Sequence, residues 1–171
     1  NDFSQGESFT GKFLYLNKEV QMSNDERIEN LRAEWARREW QHTGCLARFA
    51  HGVGIPTVLT EGTKDMAVLF DCFWLFDIIG AAQLAPLPGH TKQTTQVWHV
   101  YTSFPDTRTV VWLQPPNLTG AEAREMLARE PDRLPFCQAL RSSSFPLEDQ
   151  TLMVEWDPGL RRYVIMLPSE R

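Results

Sequence analysis

The 171 residues suffice for one domain with a real core, and 42% hydrophobic with 23% charged residues reads as a soluble, globular chain. A net charge of −5 and a pI near 5.4 argue against general duplex or RNA binding, which needs a basic footprint, and are too weak for an acidic DNA mimic. Net charge hides distribution, so a local basic patch is compatible with it.

In chain order, residues 1–8 are polar and read as a flexible end. "FTGKFLYLNKEV" (9–20) alternates in part, as a short strand or an anchor would. Ser23 and Glu26 then form a capping box, with Asp25 and Glu26 at the positive end of a helix dipole. Ile28, Leu31 and Trp35 make one apolar stripe at helical spacing, and Glu34 can pair with Arg38, adding about 0.3 kcal/mol. Trp40 falls well off that stripe if the helix continues. Gly52, Gly54 and Pro56 punctuate residues 51–59 as a loop or a short extended piece. Thr60 reads as the cap of a helix to about Phe70, and 72–84 as a second helix or the same one kinked. Residues 66–82 approach membrane length, but Asp71 and Asp77 interrupt them, so the run reads as buried protein helix.

Pro86, Pro88 and Gly89 break any regular structure over 85–95. "QVWHVYTS" (96–103) and "TRTVVWLQ" (107–114) alternate and read as a hairpin. Thr119 caps a short helix that Pro131 closes, 136–147 holds a third strand, and "TLMVEW" and "RYVIML" flank an Asp157-Pro158-Gly159 turn. Strands gather late and helices early. The expectation is a single α+β domain over 1–171, with an antiparallel sheet mainly from the C-terminal half and the N-terminal helices on one face. Cys45, Cys72 and Cys137 are odd in number and lack a CxxC, which favours a reducing, cytoplasmic home; no signal peptide is visible.

Five stretches together carry a resemblance: "LTEG" (59–62), "FWLFDIIGAAQ" (73–83), "QVWHVY" (96–101), "SFPL" (144–147) and "VIMLPSER" (164–171), with an early "FTG" at Phe9–Gly11. They resemble a family of small, uncharacterised bacterial proteins often encoded on plasmids, prophages and other mobile elements. The aromatic–Trp–Leu–x–Asp–Ile helix and the LPSE ending are its most specific parts. The chain departs from that pattern at 12–56 and 115–135, which look inserted, and Arg171 stands where relatives tend to carry an aromatic. The resemblance implies no activity and no catalytic residues. It implies a soluble accessory protein of a mobile element.

Several residues could carry chemistry. Residues 73–79 are apolar all round a helix wheel apart from Asp77, which places that carboxylate in a core, as a structural acceptor or as a general base with a shifted pKa. Asp71 is not on its face. His42, Cys45 and His51 are suitable zinc ligands, with a fourth available from Cys72, His90 or His99, but their spacing matches no strong metal pattern. Cys72 with His99 is a weak nucleophile–base pairing. There is no GxSxG, P-loop, dinucleotide GxGxxG or HExxH, and no cofactor is expected. Trp74, Trp98, Tyr101, Trp112 and Trp156 read as core; as a base-stacking surface they need a cation, for which Arg108 alone is thin support. Arg32, Trp35, Arg37, Arg38 and Trp40 are the candidates for a protein-binding surface, because Trp and Arg dominate hot spots. The leading expectation is a non-enzymatic module that contacts another protein, host- or element-encoded. The alternatives are a small metal-dependent or hydrolase-like enzyme using Asp77/His99 or His42/Cys45/His51, and a self-associating structural protein.

Overall fold

A computed structural model describes residues 23–42, 48–51, 56–103, 108–141, 143 and 145–171, without the side chains of Trp40 and 48–51. Residues 1–22, and with them the Phe9–Gly11 tripeptide, lie outside the described residues.

The first helix, α1 (Asn24–Arg38), starts where its capping box predicts: Ser23 Oγ accepts from the Glu26 amide at 3.2 Å and Glu26 Oε2 from the Ser23 amide at 2.8 Å. After β1 (Arg48–His51) and β2 (Thr57–Thr60) come α2 (Glu61–Leu69) and α3 (Phe73–Ala82). Asp71 separates these two helices. It adopts φ +49°, the Cys72 amide reaches back to the Ala67 carbonyl at 3.0 Å and the Asp71 amide to Val68 at 3.5 Å. This is a Schellman ending with aspartate in the left-handed position usual for glycine. The apolar run therefore makes two short helices, and no described helix is long and apolar enough to cross a membrane.

The hairpin of β3 (Gln96–Ser103) and β4 (Arg108–Leu113) follows, then α4 (Gly120–Arg129), β5 (Phe136–Leu140), β6 (Asp149–Asp157) and β7 (Arg162–Met166). A capping box of Thr119 and Glu122 starts α4. Asp157 Oδ1 accepts from the amides of Gly159 and Leu160, which tightens the predicted Asp-Pro-Gly turn. The fold is α+β, and the described strands form one sheet in the order β1-β2-β7-β6-β3-β4-β5. Every neighbouring pair is antiparallel except β2 and β7.

Strand alternation gives the sheet two apolar faces. Leu59, Ile165, Val154, Leu152, Trp98, Val100, Val111 and Leu113 point to the side covered by α1, α2 and α3, where Trp35, Met66, Phe70, Leu75, Phe76 and Ile79 complete the main core. Each such side chain contributes about 1.5–3 kcal/mol by burial. Trp112, Ala123 and Leu134 form a second cluster under α4 on the opposite face. Helices thus cover both faces, the N-terminal three on one and α4 on the other.

The parallel β2–β7 seam is locked by a buried carboxylate. Glu170, 3% exposed, accepts from the Gly62 amide at 2.9 Å, the Leu167 amide at 2.9 Å and the Thr60 hydroxyl at 2.5 Å. Thr63 Oγ1 donates to the Ile165 carbonyl at 3.0 Å beside it. A side chain at Gly62 has no room: an added Cβ would lie 2.7 Å from Leu167 Cδ1 and 3.0 Å from Glu170 Cδ. Gly62→Ala should therefore destabilise by about 1–3 kcal/mol, and Glu170→Ala by about 3 kcal/mol because it strands buried donors. Urea unfolding midpoints check both; a wild-type midpoint for Gly62→Ala removes the close-approach account.

Candidate functional site

On α3, Leu75, Phe76, Ile79, Gly80 and Ala82 are buried. Phe73, Asp77 and Ala81, four residues apart, are exposed, and Leu84 continues their stripe through the turn closed by its amide on the Ala81 carbonyl at 3.1 Å. Asp77 is therefore not a core carboxylate. The helix wheel misplaces it because it counts Phe73 as a core residue, whereas Phe73 is 41% exposed on the outer side.

Asp77 and His99 do not meet. The buried side of α3 packs in the cluster of Trp98 and Val100, while His99, between them on β3, points to the α4 side; the sheet stands between the two groups. The His99 ring stacks on Trp112, centroids 4.2 Å apart. Gln114 Nε2 donates to the Leu118 carbonyl at 2.7 Å, which turns Gln114 Oε1 toward His99 Nε2 at 3.1 Å. That bond makes Nε2 the protonated nitrogen and leaves Nδ1 to accept from the Thr151 hydroxyl at 3.3 Å. Burial pulls the imidazole pKa below its ordinary value.

Cys72 is fully buried in the main core, its thiol directed at the Met66 carbonyl at 3.7 Å, and burial pushes its pKa up to about 12. It is neither exposed nor a thiolate at neutral pH, so the Cys72–His99 pairing fails on both counts. Of the zinc candidates, His42 Nε2 lies 3.5 Å from Asp65 Oδ2. Cys45 and the side chain of His51 lie outside the described residues, among which no three His, Cys, Asp or Glu side chains gather around a metal-sized point.

The arginine–tryptophan set of α1 divides. Trp35 is 3% exposed and meets the Phe70 ring edge-on at 5.5 Å, so it belongs to the core and not to a partner surface; it is the innermost residue of the Ile28–Leu31–Trp35 stripe. Arg32 Nε donates to the Pro146 carbonyl at 2.7 Å, and Arg38 bridges Glu34 at 2.6 Å and Asp65 at 3.1 Å, strapping α1 to the body. Arg37 pairs with Glu34 and stays exposed. The side chain of Trp40 lies outside the described residues.

The outer side of the helical layer keeps large apolar groups in solvent: Val68 at 61% and Leu84 at 66%, with Phe73. A cleft of about 320 Å³ lies there, lined by His42, Glu61, Lys64, Asp65 and Val68. A further cleft, about 500 Å³, opens where β6 outruns β3: Gln96 is opposite Val154, so Glu155, Trp156 and Asp157 extend past it toward the 92–95 loop. There Lys92 Nζ sits 4.0 Å from the centroid of the Trp156 ring. Alternation along β6 points Trp156 at a core; its place just before a turn, with a lysine in the irregular 85–95 stretch, is the only hint of this cleft in the sequence.

The model of a family of unknown function, DUF6876, matches residues 39–171. The chain belongs to that family. The matched span takes in β1 to β7, Glu170 with its three donors and the α3 stripe, and it begins directly after α1. No curated protein matches the chain, and no solved structure does.

His99 supplies a pH test. Its folded pKa lies below the 6.5 of an unperturbed imidazole, so the unfolded chain takes up a proton first as pH falls. The stability due to the neutral ring is complete above about pH 6.5 and is lost between that value and the lower folded pKa. Denaturation midpoints at about pH 7.5 and 5.5 should fall more for wild type than for His99→Gln; equal slopes contradict a neutral, buried ring.

Proposed function

We propose that this DUF6876 chain is a non-catalytic protein-binding module, an accessory protein of a bacterial mobile element that regulates or inhibits a host or defence system by covering a surface of its partner. The observation that carries this reading is the α3 stripe of Phe73, Asp77, Ala81 and Leu84. Core packing accounts for Leu75, Phe76 and Ile79 in the same motif, while Phe73 keeps 41% and Leu84 66% of its surface exposed. Apolar side chains grouped on a surface and flanked by charge mark contact sites. Val68 on α2 and Arg37 on α1 are further exposed groups of the helical layer, and Trp40 remains the aromatic candidate that the sequence offers. The accessory role and the mobile-element setting rest on the family resemblance.

The test is partner capture from a host lysate with wild type and with a Phe73→Ser/Leu84→Ser double variant. Leu84 is 66% and Phe73 41% exposed, so the double variant should still unfold cooperatively, as its urea midpoint checks, while partner retention should fall at least about tenfold. Arg37→Glu and Trp40→Ala measure what α1 and the turn after it add. Undiminished capture by the double variant sinks the α3 surface.

A further inference from the structure

We propose that the cleft at the end of β6 binds a mononucleotide, with the base stacked on Trp156 and the phosphate held by Lys92. This goes beyond the protein-binding reading and uses different residues.

Four observations converge on it. The cleft is open on one side and offers about 500 Å³, room for a ring and a phosphate within the roughly 300–1,000 Å³ of small-molecule sites. One wall is an indole: Trp156 lines the cleft, and Tyr163 meets its ring edge-on, centroids 5.0 Å apart. A cation sits on the face of that indole, because Lys92 Nζ lies 4.0 Å from the ring centroid. Among the described residues no carboxylate pairs with Lys92. Another wall is polar and ordered, since Glu155 Oε1 accepts from Thr95 Oγ1 at 2.7 Å and from Arg171 Nε at 3.0 Å, and Arg171 also reaches Thr95. Gln93 and Thr94 add an amide and a hydroxyl to the rim.

These parts select the ligand class. An aromatic face accepts any planar ring, and stacking is tolerant of which base it is. The lysine that covers the face in the free protein is exposed, so a ring can displace it into solvent. Displacement takes its ammonium off the indole and leaves a positive charge beside the stacked ring. A phosphate on the same ligand offsets that loss; a neutral sugar does not. The chain's net charge of −5 is no obstacle, because one anion needs one local cation.

The experiment is titration of the intact chain with AMP, GMP, CMP and UMP, their nucleosides and a neutral disaccharide, followed by calorimetry and tryptophan fluorescence. At least one mononucleotide should saturate at micromolar to millimolar concentration. Lys92→Gln, a surface change that leaves the fold alone, should weaken that nucleotide about tenfold and leave its nucleoside within about twofold. Trp156→Leu should abolish both, and Trp156→Phe should keep both. No saturation by any nucleotide up to about 5 mM, equal loss of nucleotide and nucleoside in Lys92→Gln, or binding of the disaccharide alone overturns the proposal.

Discussion

Glu170 is a carboxylate, 3% exposed, taken out of water at the meeting point of β2, α2 and β7. Burying such a charge is costly unless donors surround it. Here two amides and a hydroxyl do so, and the Gly62 amide adds the positive end of the α2 dipole. The constraint propagates. With the α2 start fixed against the β2–β7 seam, Met66 and Ala67 reach the core, and the Asp71 turn then sends α3 across the sheet. At its far end Gln83 exchanges amide hydrogen bonds with Gln96 at 2.9 Å, joining α3 to β3. One carboxylate thus fixes the start of α2 over the β2–β7 seam, from which the rest of the helical layer extends.

This interaction also changes what the signature stretches mean. "LTEG" and "LPSE" stand about a hundred residues apart in the sequence, yet their Thr60, Gly62, Leu167 and Glu170 make a single contact set. They are architecture. The α3 motif is divided: its Leu75, Phe76 and Ile79 belong to the core, while Phe73 and Asp77 face outward. The outward half is the part that the proposed protein contact uses.

Local rules made much of the fold legible. Two capping boxes start α1 and α4, the β3–β4 hairpin follows from alternation, and the Asp157 turn follows from its residues. What was hidden needed partners distant in the chain. Nothing near Thr57 says that β2 will run parallel to β7, because that pairing is between residues about a hundred positions apart. The break at residue 71 is legible as a gap between two helices or a kink in one, but its left-handed φ is not. The direction of Asp77 depends on which side of α3 the sheet takes, and an apolar residue on the water side defeats the wheel. The candidate site suffered most: Trp35 and Arg38 look like surface groups until Phe70 and Asp65 are placed beside them, and Lys92 and Trp156 are joined only by the path of the chain.

The sheet order carries a further consequence, for the timing of folding. β7 comes after the other six described strands in chain order, yet it lies inside the sheet, between β2 and β6. Until it is synthesised, the β1–β2 pair has no strand of the main sheet to join, and the α2 amide at Gly62 has no carboxylate to receive it. The three N-terminal helices emerge with their apolar faces uncovered and wait for a strand made later. Long-range pairing of this kind is slow and exposes hydrophobic surface meanwhile. Loss of the residues beyond 160 would therefore not trim a tail; it would remove the seam that joins the two halves of the sheet.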